Sequence, residues 1–322
     1  MITCTMAGNL GNHKTTLPKP RCTEKILHKP RNNMGFDTGR VDASPITVVA
    51  TVSSIILTFV AIYFYKLNHK ETSVLHPEKY RKFQIIEKRP ASHNSTIFRF
   101  KLPRSTDRLG LPVGQHISVA GTIDGKEVVR SYTPITLDDC VGYFELLIKI
   151  YEKGAISRFL NEKSVGDHVH IKGPKGFYNW NPNMVGKLGM VAGGTGISPM
   201  YQIIKAIVNN PEDKTHISLI YANVTEDDIL LKDDLDRMAK EHPENLKIHY
   251  VLDKSPHENW QGGVGYVTAE MMEEHLPSVK QNAHLLVCGP PPMVNAIKKS
   301  AVALGFPKAR AVSKLGDQVF AF

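Results

Sequence analysis

The rhythm of the chain changes at Asn181-Pro182-Asn183, and that change limits the folds open to it. Before it, YRKFQIIEK, STIFRFKLP, GQHISVAGTI, KEVVRSYTP and GYFELLIKIY are short β-branched or alternating segments, separated by Gly-, Pro- and Asp-rich turns. Such runs, about 10–20 residues apart, predict an antiparallel barrel over 76–183, interrupted by one helix near 155–163. After it, KLGMVAGG, THISLIYAN, LKIHYVLD and HLLVCGP read as buried strands. They alternate with helical ISPMYQIIKAIVN, LKDDLDRMAKEH, TAEMMEEHL and PPMVNAIKKSAVALG. Strand and helix in alternation mean βαβ units and a parallel sheet, here over 184–322. The expected fold class is therefore β barrel plus α/β.

A third element precedes both. Residues 43–65 form 23 consecutive uncharged positions between Asp42 and Lys66. At ~1.5 Å rise per residue, such a helix crosses a hydrocarbon core of ~30 Å with a little to spare. Tyr63 and Tyr65 stand at its exit, where aromatic rings favour the interface. One transmembrane helix over 43–65 is expected, with a disordered leader over 1–42 and a linker over 66–75. Met34 is a candidate alternative start. Basic residues flank the run on both sides, so charge does not fix its orientation.

The net charge of +9 is uneven. Residues 1–70 carry nine basic and three acidic side chains, 76–186 seventeen and eleven, and 187–322 fourteen and sixteen. A basic middle section suits an acidic partner or an anionic membrane face. With no Arg-rich or aromatic-interleaved run, nucleic acid is a poor partner. Cys4, Cys22, Cys140 and Cys288 show neither CxxC spacing nor a framework of pairs, which points away from zinc and disulfides and towards a reducing compartment. No metal site is expected.

The chemistry-bearing residues come in a series. Arg130-Ser131-Tyr132-Thr133 ends a barrel strand; alternation puts Arg130 and Tyr132 on one face, offering a cation, an aromatic surface and hydroxyls. Ile148-Lys149-Ile150-Tyr151 leads into Gly154-Ala155-Ile156-Ser157, which opens the barrel's helix, and free amides at a helix start attract anions. Gly193-Gly194-Thr195-Gly196-Ile197-Ser198-Pro199 links a buried strand to a helix, but as GxGxxP rather than the usual GxGxxG. Cys288-Gly289-Pro290-Pro291-Pro292-Met293 does the same further on. Each has a plainer reading as a decorated strand, a helix cap or a tight turn.

Taken in order, RSYTP, IKIY with GAIS, GPKG, GGTGISPM, CGPPPM and a final Phe322 make the chain similar to the ferredoxin-reductase-type flavoproteins, and most of all to cytochrome b5 reductases. The resemblance covers about 76–322. It implies an FAD-binding barrel followed by an NAD-binding parallel-sheet domain, with FAD and NADH as cofactors. It also implies Arg130 at the flavin pyrophosphate, Tyr132 along the flavin, and Thr133 near its N5 nitrogen. Ile148, Tyr151, Gly154, Ile156 and Ser157 would line FAD, with Ser131, Ile150 and Ala155 beside them, while Lys149 would help hold NADH. Thr195 would stand where flavin and nicotinamide meet, with Gly193, Gly194, Gly196 and Pro199 in the same loop. Gly289, Pro290 and Met293 would surround the nicotinamide, with Cys288 a polarisable neighbour and not a nucleophile. Asp253 would disfavour NADPH. Pro112-Val113-Gly114-Gln115-His116 is also similar to a family stretch close to the flavin, though for His116 itself a structural role is the leading expectation.

By the same resemblance the activity is electron transfer from NADH through FAD to cytochrome b5, supporting lipid desaturation, sterol synthesis and diphthamide formation. The catalytic part would face the cytosol from the endoplasmic reticulum or mitochondrial outer membrane, as a monomer. A quinone or other haem or iron protein as acceptor, or a tethered redox sensor, remain alternatives.

Overall fold

The computed structural model describes residues 45–68 and 74–322, in two units divided between Lys70 and Glu71. The expected leader, Met34 and residues 69–73 of the expected linker lie outside the described residues.

In the first unit, helix α1 spans Pro45–Asn68. Its residues 50–63 are all exposed, with Val52, Ile55, Ile56, Leu57, Phe59, Val60 and Ile62 distributed around the helix. The Thr58 hydroxyl donates to the carbonyl of Ser54 at 2.8 Å, satisfying its own polarity within the helix. Taken over the described residues, no helix is long and apolar enough to cross a membrane.

The second unit holds two sheets. The first contains β1 (Arg81–Ser92), β2 (Ser95–Lys101), β3 (His116–Ile123), β4 (Lys126–Tyr132), β5 (Tyr143–Lys149) and, after helix α2 (Ala155–Glu162), β6 (His168–Lys175). Every pairing is antiparallel, in the order β4-β3-β6-β1-β2-β5. Alternation sends Phe83, Ile85, Phe98, Phe100, Ile117, Val119, Phe144, Leu146, Ile148, Val169 and Ile171 into one core, and Ile156 and Leu160 of α2 plug it. The sheet curls around that core as an open barrel. Pro90 is accommodated near a register shift in the long β1, where a missing ladder donor is tolerated.

The second sheet is wholly parallel. Its strands are β7 (Lys187–Gly193), β8 (His216–Asn223), β9 (Leu246–Leu252), β10 (Gly263–Val264), β11 (His284–Cys288) and β12 (Val319–Ala321), in the order β10-β9-β8-β7-β11-β12. Helices α3 (Ile197–Val208), α4 (Lys232–Glu241), α5 (Ala269–His275) and α6 (Pro291–Ala303) connect them. An antiparallel barrel followed by a parallel sheet is what the change of rhythm predicts. The short β10 and β12 are not apparent in the sequence, because two or three residues are too few to show a period.

Barrel and sheet share an apolar seam. Ile97, Ile135, Leu147, Tyr178 and Trp180 pack into one cluster with Leu188, Met190, Tyr201 and Phe320. Polar bonds pin the same seam: the Gly114 amide donates to Gln202 Oε1 at 2.7 Å, and Trp180 Nε1 to Asp213 Oδ2 at 3.0 Å. All four groups are satisfied away from water, so the seam is both apolar and directional.

Candidate active site

Away from the seam, barrel and sheet face each other across a cavity of about 1330 Å³. Its barrel wall starts with the end of β4. Arg130 is exposed there, its guanidinium donating to the Val129 carbonyl at 2.8 Å, and no carboxylate pairs with it among the described residues. Beside it are Ser131, Tyr132 and Thr133. Burial, opposed by Arg130 and reinforced by Tyr151, pushes the Tyr132 phenol up to about 12, so it stays protonated at neutral pH.

Helix α2 opens opposite this strand. Its residues follow an amphipathic spacing that buries Ile156 and Leu160, and Gly154 caps it in an extended conformation with no side chain on the free amides. A Cβ at Gly154 would collide with Ser157 Oγ and come within 3.0 Å of Tyr151 Cβ. The Ser157 hydroxyl ties the loop down: it accepts from the Tyr151 amide and donates to the Gly154 carbonyl, each at 3.3 Å. Uncapped amides facing an unpaired Arg make a place for a diphosphate. Gly154, Ala155, Ile156 and Ser157 all line the cavity, as do Lys149 and Tyr151.

Two expected residues do not. Ile148 is 1% exposed and points into the barrel core, and Ile150 packs against the same core. Strand alternation gives the cavity Leu147 and Lys149 instead. His116, expected to be structural, lies on the cavity wall. Burial, then the charge of Lys175, hold its imidazole below the ordinary value.

The sheet wall is built from the C-terminal ends of parallel strands, where open α/β folds bind ligands. After β7, Gly194 takes φ +51° and leads a 3-10 turn, Gly194–Gly196, into α3. Gly193 and Gly196 are glycines for loop packing: a Cβ on Gly196 would overlap the Cys288 carbonyl, and one on Gly193 would strike Met293 Sδ. Gly194 has open space where a side chain would be. The 288–293 loop follows the neighbouring strand β11, and Pro291 opens α6 at its first position. Gly193, Gly194, Thr195, Gly196, Pro199, Cys288, Gly289, Pro290 and Met293 all reach the cavity. Burial pushes the Cys288 thiol up to about 12.

Polar side chains of the two halves meet across the opening. Tyr151 Oη lies 3.4 Å from Thr195 Oγ1, and Lys149 Nζ donates to Asp228 Oδ1 at 2.8 Å. Burial raises Asp228, but bonds from Lys149 and Thr225 outweigh it and hold the carboxyl below its usual range. Asp253 follows β9 and Phe322 follows β12; both are exposed at the cavity.

Several lining residues carry no motif. Asn223 ends β8, 8% exposed, and among the described residues neither side-chain amide atom has a partner in good hydrogen-bond geometry, although the Tyr221 phenol is near enough to interact with it. Its place at the end of a parallel strand was the available signal. Tyr266, 87% exposed just past β10, gave none because the strand before it is two residues long. Asp228 hides in an acidic run that reads as a solvated surface.

The residues present fit two nucleotides. The uncapped helix and Arg130 suit the diphosphate of FAD, while the polar Asn223 amide at the strand end and open Gly194 suit a second dinucleotide. Comparison with known proteins agrees. Residues 82–180 match the oxidoreductase FAD-binding domain, and 190–299 the oxidoreductase NAD-binding domain. NADH-cytochrome b5 reductase 1 of Meyerozyma guilliermondii is 62% identical over 281 residues, covering 87% of this chain and 99% of that relative. The Candida albicans protein of the same name is also 62% identical, covering 87% and 95%. The cytochrome b5 reductase domain of Ulva prolifera nitrate reductase superposes with a TM-score of 0.72 at 36% identity, covering 78% of this chain and all of that one. With both nucleotide-binding halves matched and the relatives covered almost end to end, the chain belongs to the NADH-cytochrome b5 reductase family.

Proposed function

We propose that this chain passes electrons from NADH through FAD to cytochrome b5, and that α1 holds it on a membrane. The observation that carries the reading is the shared cavity, with a diphosphate cradle on the barrel side and the ends of parallel strands on the other. Bound FAD supplies the hydride acceptor and releases electrons singly. The chain's own residues do the rest. Arg130 and the first amides of α2 would hold the flavin diphosphate, and Ser157 keeps their loop in shape. Tyr132 and Thr133 would border the flavin, with Tyr132 a neutral hydrogen-bond donor. Thr195, Cys288 and Gly289 would border the nicotinamide, and the protonated Cys288 thiol excludes water without attacking. Asp253 would repel the extra phosphate of NADPH.

The basic excess over 76–186 favours an acidic haem partner met in weak, salt-sensitive encounters. A helix whose large apolar side chains are exposed throughout 50–63 offers a surface that lipid would cover. An anchored monomer on the endoplasmic reticulum or mitochondrial outer membrane, its second unit in the cytosol, would share a surface with its acceptor and raise the effective concentration of both. Purified full-length chain is expected to be yellow, to bleach on mixing with NADH, and to reduce cytochrome b5 faster than quinones. A colourless, properly folded protein that takes up no FAD would overturn the reading.

A further inference from the structure

Lys149 ends β5 on the barrel side, and its ammonium is held from the sheet side. Asp228 belongs to the 3-10 turn Glu226–Asp228, five residues beyond Asn223, and both line the cavity with Lys149. The carboxylate is itself oriented. Its Oδ2 accepts from Thr225 Oγ1 at 2.8 Å and from the Thr225 amide at 3.3 Å, closing a capping box. That leaves Oδ1 for Lys149 Nζ at 2.8 Å, with His93 Nε2 at 3.9 Å. Both partners are mostly buried, their side chains 19% and 10% exposed.

A lysine is a compact charge on a flexible four-carbon stem with three donors. Left alone it samples many positions, and holding one costs rotamer entropy. Here one donor is spent on Asp228, and no other hydrogen bond from Nζ occurs among the described residues. We infer that Asp228, oriented by Thr225, is a positioning residue for dinucleotide binding: it fixes the Lys149 ammonium at the cavity wall so that its remaining donors meet NADH without a further ordering cost. This rests on the reading that NADH occupies the sheet side of the cavity. It assigns the Thr225-Asp228-Lys149 relay a role in affinity beyond joining the two halves.

A plain structural bridge would affect stability, whereas a positioning role must act through Lys149. The test is equilibrium binding of NAD+ to the purified full-length holoprotein, with flavin content and melting temperature measured in parallel. Asp228→Asn is expected to weaken NAD+ binding about tenfold at unchanged flavin content. Lys149→Met should weaken it similarly, and the double variant should bind no worse than Lys149→Met within about twofold. Asp228→Glu should recover part of the loss. Thr225→Ala, which leaves the ion pair but frees the carboxylate, should lose about twofold to fourfold, and serves if Asp228→Asn does not fold. Unchanged NAD+ binding in Asp228→Asn, or in Thr225→Ala where that variant stands in, overturns the inference alone. So do losses in Asp228→Asn and Lys149→Met that multiply in the double variant. Wild-type protein that retains flavin but binds no NAD+ overturns the underlying reading as well.

Discussion

Cys288 shows how much a residue's neighbours decide about its chemistry. A free cysteine titrates near 8.5, and the thiolate is the reactive form. Burial at the end of β11 pushes this thiol up to about 12, which leaves little thiolate at neutral pH. Alkylation by iodoacetamide at pH 7.5, followed by peptide mass mapping, should therefore find Cys288 slower than free cysteine by at least about tenfold. Rapid modification in folded protein would show an environment that activates the thiol. Gly196 makes the complementary point, since a side chain there would overlap the Cys288 carbonyl. The glycines of GGTG were legible as a strand-to-helix loop. That two of them serve contact between neighbouring loops, and only Gly194 leaves space open, depended on β7 and β11 lying side by side. Adjacency of strands distant in sequence is not written in either motif.

At the scale of elements, strand period decided what could be read and what could not. The alternation of β5 was visible, yet the motif taken as a block placed Ile148 with Lys149; the pleat sends one to the barrel core and the other to the cavity. The same strand carries Glu145, 7% exposed and invisible as a buried acid from sequence alone. Arg99, its cross-strand neighbour on β2, and Arg89 on β1 both donate to it at 2.9 Å. Both arginines remain partly exposed, so the cluster is worth less than a fully buried pair. Glu145→Ala leaves Arg89 and Arg99 with Glu87 as a remaining carboxylate partner and is expected to cost about 1 kcal/mol, seen as a lower midpoint in urea at unchanged slope. A loss within error of zero would mean that solvent screens the cluster completely. The expected helices and longer strands were evident because their apolar residues recur over several turns or pleats. The paired ends, β10 and β12, arise from tertiary contact and could not be.

For the whole molecule, the division after Lys70 separates a helix whose described side chains are all exposed from a unit with its own continuous cores. A fragment of residues 71–322 should therefore fold alone, retain flavin, and reduce ferricyanide with NADH within about twofold of the full chain. Its turnover with membrane-bound cytochrome b5 should fall at least tenfold, because confinement to one surface supplies effective concentration and not contact energy. Equal rates for fragment and full chain on vesicles would remove the anchor from the functional account. The seam of Tyr178, Trp180 and Phe320, with the Gly114–Gln202 bond inside it, has a consequence for the working cycle. Because that edge is held by packing and a buried hydrogen bond, exposed Tyr266 and Pro290 mark a rim of the cavity that stays open to solvent, where a guest on the sheet wall can be exchanged without parting the two halves.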